Sequence, residues 1–241
     1  MLLGDSFLFG ILLDAQETIP AFLERKLSGY ELYNLGIPGW GLDQMYLSYK
    51  KYVTLIKPQI IVLLYIDDDL SRSYEAFREP EGMNKPSFSL QENRLVPRTP
   101  LSLWKRYVLH NHVINNSIIA NRFYIFYKNI EIKKLADALF ADLIAQTHER
   151  RQELIVLRLP LLRDGPPTWN FKDFLAPPMW NFKEFFAEKN NLYIDVGDQM
   201  PRDAKFYMIG GHFSAEGTAY VAELISKLDM FTRRRNLHSP Y

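Results

Sequence analysis

A chain of 241 residues, 47% hydrophobic and 24% charged, has the composition of a globular protein and the length to bury the core of one large α/β domain. Its formal net charge of +1 gives no reason to expect a nucleic-acid partner, and its lack of cysteine excludes disulfides and thiolate chemistry. No apolar run approaches the roughly 18 residues that span a bilayer, so we expect no stable membrane insertion.

Short apolar runs bounded by turn residues predict five β-strands. The longest run, QIIVLLYI, is apolar throughout, which is typical of a parallel strand covered on both faces. In chain order the predicted strands are Met1–Gly4, Glu31–Leu35, Gln59–Ile66, Glu153–Leu159 and Leu192–Val196. The first is shorter than the usual strand of about five or six residues, so we expect the natural protein to begin earlier. No signal peptide is visible in this sequence, which as it stands predicts a cytoplasmic protein, but a missing upstream segment would also carry any targeting signal.

The segments between these strands predict helices. The predicted helices are Ile19–Leu27, Leu42–Leu55, Leu101–Tyr127, Ile130–Glu149, Trp180–Lys189 and Ala215–Leu228. Alternation of strands and helices on this scale is typical of an open parallel sheet with helices on both faces. We therefore predict a single domain over residues 1–241, built as a three-layer α/β/α sandwich around a flavodoxin-like, five-stranded parallel sheet.

Three segments depart from this alternation. Residues 71–100 are rich in proline and charge and predict an excursion from the sheet. Within residues 164–190, PTWNFKDFLA is nearly repeated as PMWNFKEFFA, and residues 229–241 form a tail with three consecutive arginines. The repeat is interpreted either as an amphipathic turn packed on the surface or as an aromatic flap over a substrate cleft. The flap would be formed by Trp169, Phe171, Trp180 and Phe182.

Four motifs follow predicted strands, where ligands of open α/β sheets bind. They are GDS (Gly4–Ser6), YNLGIPGWG (Tyr33–Gly41), DDDL (Asp67–Leu70) and GGHFSAEG (Gly210–Gly217). A serine, a glycine-rich turn and a histidine that meet at one sheet edge supply the nucleophile, the N–H donors and the base that acyl transfer needs.

In this order and spacing, the motifs resemble the four sequence blocks of the SGNH hydrolases, also called the GDSL esterase/lipase family. The resemblance covers residues 1 to about 228. It implies that Ser6 is the nucleophile and an oxyanion donor, that Gly39 is a second oxyanion donor and that His212 is the base. It also implies an esterase or lipase that forms an acyl-enzyme without a cofactor or metal, on a small-molecule, glycan or lipid ester.

The residues beside this expected centre are assigned by their position in the same blocks. We expect Asp5, Trp40 and Asp67 to contact the substrate. Asp68 stands where the family has its oxyanion asparagine, or Asp67 does if the register shifts by one residue. An asparagine donates hydrogen bonds to an oxyanion, whereas an ionised carboxylate can only accept them. Asp68 is therefore expected either to be protonated in the oxyanion hole or to turn towards His212.

A second departure lies before His212. The family usually has an acidic residue two or three positions ahead of the histidine, where this chain has Gly210 and Ile209. Three interpretations remain open. The protein acts through a Ser6–His212 dyad whose imidazole is held by a backbone carbonyl, or a carboxylate orients the imidazole, or the site is degraded and only binds its ligand. The candidate carboxylates are those of residues 67–69 and Asp203. Transfer of the acyl group to a sugar hydroxyl is an alternative to hydrolysis.

The remaining candidate residues have simpler interpretations. The three aspartates can cap a helix that begins near Leu70, and we expect this role for Asp69. His110 and His112 are two residues apart on a predicted helix, so they point to different faces and predict packing or surface groups rather than metal ligands. His148 lies in the charged run HERRQE and is expected to be solvated.

Overall fold

The computed structural model describes most of the chain. It covers residues 1–75, 77–78, 83–100, 102, 118–161, 182–201, 203–208 and 210–231. The strands of this part are β1 (Leu2–Gly4), β2 (Asn34–Gly36), β3 (Ile60–Tyr65), β4 (Phe77–Arg78), β5 (Met83–Asn84), β6 (Phe88–Gln91), β7 (Arg94–Pro97), β8 (Glu153–Arg158) and β9 (Leu192–Asp195).

The helices occupy the connections between strands. They are α1 (Ser6–Phe9), α2 (Ile19–Lys26), α3 (Leu42–Ile56), α4 (Asp67–Tyr74), α5 (Ile118–Glu149), α6 (Lys183–Glu188) and α7 (Ala215–Ser226). Short 3-10 turns lie at Ala15–Glu17, Val196–Asp198 and Ala204–Phe206. None of the helices within the described residues is long and apolar enough to cross a membrane.

Five parallel strands form the central sheet in the order β2-β1-β3-β8-β9. This is the flavodoxin-like order, in which the chain reverses its direction of travel across the sheet beside the first strand. The predicted fold class is confirmed. Because the order reverses between β1 and its neighbours β2 and β3, their carboxyl ends mark the edge at which a ligand is expected.

Strand β3 explains how both faces of the sheet are buried. Its six residues are all buried, and alternate side chains belong to different core clusters. Ile61, Leu63 and Tyr65 pack in the cluster that includes residues of α3, α5 and α6. Ile60, Val62 and Leu64 pack in the cluster that includes residues of α1, α2 and α7. The continuous apolar run therefore indicates a strand that lies between two helical layers.

Several predicted boundaries differ from the structure, and three of these differences concern β2, α4 and α5. Strand β2 begins at Asn34 rather than Glu31, and helix α4 begins at Asp67 rather than near Leu70. The break predicted between Tyr127 and Ile130 is absent, because α5 runs without interruption to Glu149. No glycine or proline stands at that position, so nothing in the local sequence ends the helix.

Residues 83–100 lie outside the central sheet. Strands β6 and β7 form an antiparallel hairpin closed by Glu92 and Asn93, both in the left-handed region, as a two-residue hairpin turn of type I′ requires. The hairpin joins the core through Phe88, which is buried edge-to-face against Tyr46 of α3 with ring centroids 5.6 Å apart. Lys85, just before the hairpin, forms a buried ion pair with Asp43 of α3.

The aromatic flap predicted from the repeat requires one correction. Phe182 is buried in the core, with its ring centroid 5.1 Å from that of Phe140, so it does not cover a cleft. Its apolar surface is buried in the core cluster that includes residues of α5 and α6. The other residues of the predicted flap, Trp169, Phe171 and Trp180, lie outside the described residues, as do His110, His112 and His238.

Candidate active site

The turn between β1 and α1 presents Ser6. The side chain of Asp5 caps the helix by accepting a hydrogen bond from the Phe7 N–H at 2.9 Å, and Ser6 is the first helical residue, with 7% of its surface exposed. A Cβ at Gly4 would lie 2.7 Å from the Leu8 Cβ, so the glycine lets α1 fold back tightly over the strand. The serine hydroxyl is thereby fixed at the carboxyl end of β1.

The loop before α7 brings His212 to this serine. The Nε2 atom of His212 lies 2.9 Å from the Oγ atom of Ser6. The loop is closed by an antiparallel bridge between Tyr207 and Phe213, and Gly210 and Gly211 have φ values of +92° and +80°. Only glycine adopts such angles without strain. The spacing of GGH therefore has a backbone reason: the two glycines turn the chain so that the imidazole faces Ser6.

The imidazole ring is held by an aromatic contact. The rings of Phe7 and His212 stack with centroids 4.8 Å apart and planes inclined by 28°, and the edge of Phe213 packs against Phe7 at 4.9 Å. Phe7 is buried and cannot rotate freely. Within the described part of the chain, the Nδ1 atom of His212 has no hydrogen-bond partner. Stacking, rather than a carboxylate, sets the ring plane there.

The glycine-rich segment after β2 forms a tight turn beside Ser6. The Trp40 N–H donates to the Ile37 carbonyl at 3.2 Å, with Pro38 and Gly39 between them and a φ of +73° at Gly39. These features define a type II turn. The Ile37 N–H donates to the Gly4 carbonyl at 3.1 Å, which ties the turn to the end of β1.

Two backbone donors at this edge are free. Among the described residues, neither the Gly39 N–H nor the Ser6 N–H has an acceptor. The Ser6 N–H lacks one because the first residue of a helix has no carbonyl one turn behind it. Free backbone N–H groups of this kind can stabilise the oxyanion of an acyl-transfer reaction.

The three aspartates after β3 have separate environments. Asp69 is buried and accepts hydrogen bonds from the Ile66 N–H at 2.9 Å and from Arg72 at 2.6 Å, so it caps α4 as expected. Asp67 is bound through both oxygens by Arg158, at 2.8 and 2.6 Å. Asp68 is exposed in the first turn of the helix, and it has no hydrogen bond to any described residue.

These placements bear on several predicted roles. Asp68 is exposed on α4 and makes no contact with the imidazole of His212 among the described residues. Asp203 makes no contact with it either, since this exposed carboxylate accepts from the Lys205 N–H at 3.0 Å and caps a 3-10 turn. Asp67 is paired with Arg158, and its role as a substrate contact stays a prediction. His148 is exposed, as expected, and lies 3.3 Å from the side-chain amide of Asn191.

Asp5 also differs from its predicted role as a substrate contact. Only 1% of its surface is exposed, and its second oxygen is 3.2 Å from both the Ser6 hydroxyl and Arg72. It therefore supports the serine from beneath instead of meeting substrate. Trp40 is half-buried against the core cluster of α3 and α5, and its carbonyl oxygen lies 3.5 Å from Arg72.

Two site residues were missed by sequence reasoning, Phe7 and Arg72. Phe7 directly follows the serine, but its contact with His212 joins residues far apart in the chain. Arg72 follows Asp69 at the spacing of a helical ion pair, which is a signal that could have been read. Burial, followed by the negative charge of Asp5, raises the pKa of Asp69 well above its usual range, while Arg72 acts in the opposite direction.

Solved structures of GDSL-type hydrolases share this fold. The chain is similar to a candidate acylhydrolase from Bacteroides fragilis, with 13% identity and a TM-score of 0.53 over 97% of this chain and 86% of the other. A GDSL-like lipase from Bacteroides thetaiotaomicron has 12% identity and a TM-score of 0.51, over 97% and 87%. The esterase EstA from Pseudoalteromonas sp., in a structure inhibited by monoethylphosphonate, has 10% identity and a TM-score of 0.50, over 98% and 97%.

The sequence comparisons give no closer relationship. No sequence model of a protein family matches the chain, and no curated protein sequence matches it. At identities this low, the shared feature is the fold. The chain therefore has the α/β architecture of GDSL-type esterases and lipases, and its chemistry has to be argued from its own residues.

Proposed function

We propose that the protein is an SGNH-type serine hydrolase of carboxylic esters that acts through Ser6 and His212. The observation that carries the proposal is the 2.9 Å contact between the Ser6 Oγ and the His212 Nε2, two atoms from residues 206 positions apart. A serine and a neutral imidazole at hydrogen-bond distance form a nucleophile and its general base.

The reaction follows from this geometry. The Ser6 Oγ attacks the acyl carbon while its proton passes to the His212 Nε2, and the carbonyl oxygen becomes an oxyanion. As the tetrahedral intermediate collapses, the ester C–O bond breaks and the imidazolium returns the proton to the leaving alcohol. Water then attacks the acyl-enzyme, gives its proton to His212 and releases the acid and the free serine.

Backbone donors support the oxyanion in this scheme. The proposed donors are the free N–H groups of Ser6 and Gly39, and the type II turn tied to the end of β1 fixes the second one before substrate arrives. Preorganised donors of this kind are worth about 10²–10³ each in rate. Asp68, which stands in the position of the family's asparagine, supplies no third donor while it is ionised.

Candidate substrates are short-chain acyl esters, including acetyl groups on sugars, and lysophospholipids. The solved structures of similar fold include proteins described as an esterase and a GDSL-like lipase, which supports ester hydrolysis in general. EstA is inhibited by monoethylphosphonate, so phosphonates are suitable probes for this chain as well.

The proposal is tested with a fluorophosphonate probe and a panel of p-nitrophenyl esters of increasing chain length. Wild-type protein is expected to become labelled and to release p-nitrophenol, whereas Ser6→Ala should do neither while keeping its far-UV circular dichroism. Wild-type protein that leaves the probe unreacted would instead be a ligand-binding protein with a degraded site. Equal turnover by Ser6→Ala would move the nucleophile elsewhere.

The same experiment separates hydrolysis from transfer. With an ester and a sugar acceptor both present, a hydrolase accumulates the free acid. An acyltransferase accumulates the acylated sugar, and its acid release falls as the acceptor concentration rises. We expect the free acid as the main product.

A further inference from the structure

We propose that Arg72 is a positioning residue that keeps the Ser6 hydroxyl proton directed to His212 by neutralising the carboxylate of Asp5. This inference rests on the proposed function, because it concerns the state of the serine before it attacks. It gives a role to the group of charges beneath Ser6, formed by the buried carboxylates of Asp5 and Asp69 and the half-buried guanidinium of Arg72.

The Ser6 hydroxyl has one proton and two possible acceptors. The Oδ2 atom of Asp5 lies 3.2 Å from the serine oxygen, and the Nε2 atom of His212 lies 2.9 Å from it. A carboxylate accepts a stronger hydrogen bond than a neutral ring nitrogen does. An Asp5 without a counter-charge would therefore hold the proton, whereas general-base catalysis needs it to pass to His212.

Arg72 is placed to change this competition. Its Nη1 atom lies 3.2 Å from the same Oδ2 of Asp5, so the guanidinium offsets the negative charge on the atom that competes with His212. Asp5 is buried, and Coulomb interactions in such a site are weakly screened. The hydrogen bond from Ser6 to Asp5 is weakened as a result, and the proton is left to the imidazole.

The same nitrogen atom also joins three segments of the site. Besides Asp5 of the nucleophile turn, it lies 2.6 Å from the Oδ1 of Asp69 on α4 and 3.5 Å from the carbonyl oxygen of Trp40. Trp40 ends the type II turn that contains Gly39. Arg72 therefore contacts the turn between β1 and α1, the type II turn that contains Gly39, and Asp69 of its own helix α4. A test has to separate the effect of its charge from the effect of holding these segments together.

A charge-compensation experiment makes that separation. Arg72→Met removes the cation and keeps most of the side-chain volume, Arg72→Lys keeps a cation, and Asp5→Asn combined with Arg72→Met removes the carboxylate that Arg72 neutralises. Asparagine at position 5 can still cap α1. Arg98→Met is the matched control, because Arg98 also donates to a backbone carbonyl, that of Tyr74 at 2.6 Å, and has no contact with Asp5.

The expected pattern concerns kcat for p-nitrophenyl acetate. Arg72→Met should lower kcat about tenfold or more, as loss of a hydrogen bond to a charged group does, with KM changed less than about threefold. Arg72→Lys should keep most of the activity, and Asp5→Asn in the Arg72→Met background should recover about fivefold or more of the loss. Arg98→Met should leave kcat and KM unchanged.

Other results overturn the inference. A double variant with a lower kcat than Arg72→Met would show that Arg72 only holds the segments of the site together. A wild-type kcat in Arg72→Met would show that Arg72 does not affect catalysis. If Arg72→Met does not fold, Arg72→Gln and its Asp5→Asn double variant replace it, and the same recovery decides. Wild-type hydrolysis that is lost in Ser6→Ala supports the proposed function whatever Arg72 does. A wild type without Ser6-dependent hydrolysis overturns both proposals.

Discussion

The ring of Phe7 stacks on the ring of His212, with centroids 4.8 Å apart and planes inclined by 28°. Phe7 is adjacent in sequence to Ser6, so the residue after the proposed nucleophile supports the ring of the proposed base. Within the described residues this stack takes the place of the carboxylate that orients the histidine in a Ser-His-Asp triad. A stack fixes the ring plane but does not select the tautomer, and it adds no charge beside the imidazolium that forms during attack.

Replacing Phe7 with leucine should therefore lower kcat in addition to the stability loss expected of a core substitution. Leucine fills much of the same volume, so we expect a stability loss of about 1–2 kcal/mol. The lost stack should reduce kcat about tenfold, because the imidazole is free to tilt away from Ser6. The measurements are urea unfolding and steady-state kinetics with p-nitrophenyl acetate.

Phe140→Leu is the matched control for this change. Phe140 is also fully buried, and it packs in the core cluster of α3, α5 and α6. We expect a similar loss of stability and an unchanged kcat. Equal kinetic effects of the two substitutions would contradict an orienting role for Phe7.

Ser6 and His212 should act as one unit. Ser6→Ala and His212→Ala are each expected to lower kcat by about 10⁴ or more, and the double variant should be little slower than either single variant. The reason is that the base has no function without the hydroxyl whose proton it accepts. Single-turnover assays at high protein concentration give the necessary sensitivity. Losses that multiply in the double variant would show that the two residues act independently.

The buried ion pair between Asp43 and Lys85 should make stability depend on pH in a Lys85→Met variant. Burial raises the pKa of Asp43 to about 6, while the charge of Lys85 lowers it and so limits the rise. Burial also lowers the pKa of Lys85. Removal of the lysine leaves a buried carboxylate uncompensated at pH 7.5, and we expect a loss of about 3–5 kcal/mol in the free energy of unfolding.

The sign of the pH effect follows from the protonation of Asp43. Without Lys85 its pKa rises further, so the folded variant binds a proton that the unfolded chain does not bind until lower pH. The difference in stability between wild type and Lys85→Met should therefore be smallest below about pH 6, where Asp43 is protonated in both folded proteins, and should grow as the pH rises above 6 towards the higher pKa of Asp43 in the variant. Urea unfolding at pH 5 and pH 7.5 measures both values. The double variant Asp43→Asn/Lys85→Met lacks the carboxyl group that binds this proton, so its free energy of unfolding should change less between pH 5 and pH 7.5 than that of Lys85→Met.

The sequence predicts the sheet and the contact between Ser6 and His212 better than it predicts the residues that hold these two side chains in place. The unbroken apolar run of β3 requires cover on both faces, and the contact between Ser6 and His212 lies at the carboxyl end of β1, where ligands of parallel sheets bind. Strand β2 is shorter than predicted because its partner β1 spans only Leu2–Gly4, and pairing ends where the partner ends.

The ring contact that holds His212 could not be predicted in this way. It depends on the path of a loop with two left-handed glycines, and on a phenylalanine 205 positions earlier in the chain. The separate positions of the three aspartates could not be predicted for a related reason. Consecutive residues at a helix start point in different directions, so Asp67, Asp68 and Asp69 have an arginine, solvent and the helix cap as their separate environments.

Replacing Asp68 with asparagine is expected to raise kcat. Asp68 lies in the first turn of α4, the helix whose Arg72 contacts Asp5, so its carboxylate stands on an element adjoining the serine turn. A negative charge there opposes the oxyanion that develops during attack, and an asparagine can donate a hydrogen bond instead. We expect kcat to rise about twofold to tenfold, which is less than the 10²–10³ of a preorganised donor because the side chain is exposed.

Asp198→Asn is the control, since it removes an exposed carboxylate beyond β9 at the far edge of the sheet, and it should leave kcat unchanged. A fall of orders of magnitude in Asp68→Asn would mean that Asp68 orients His212 during turnover. If kcat equals that of Asp198→Asn, the carboxylate of Asp68 is too far from the oxyanion to affect the reaction.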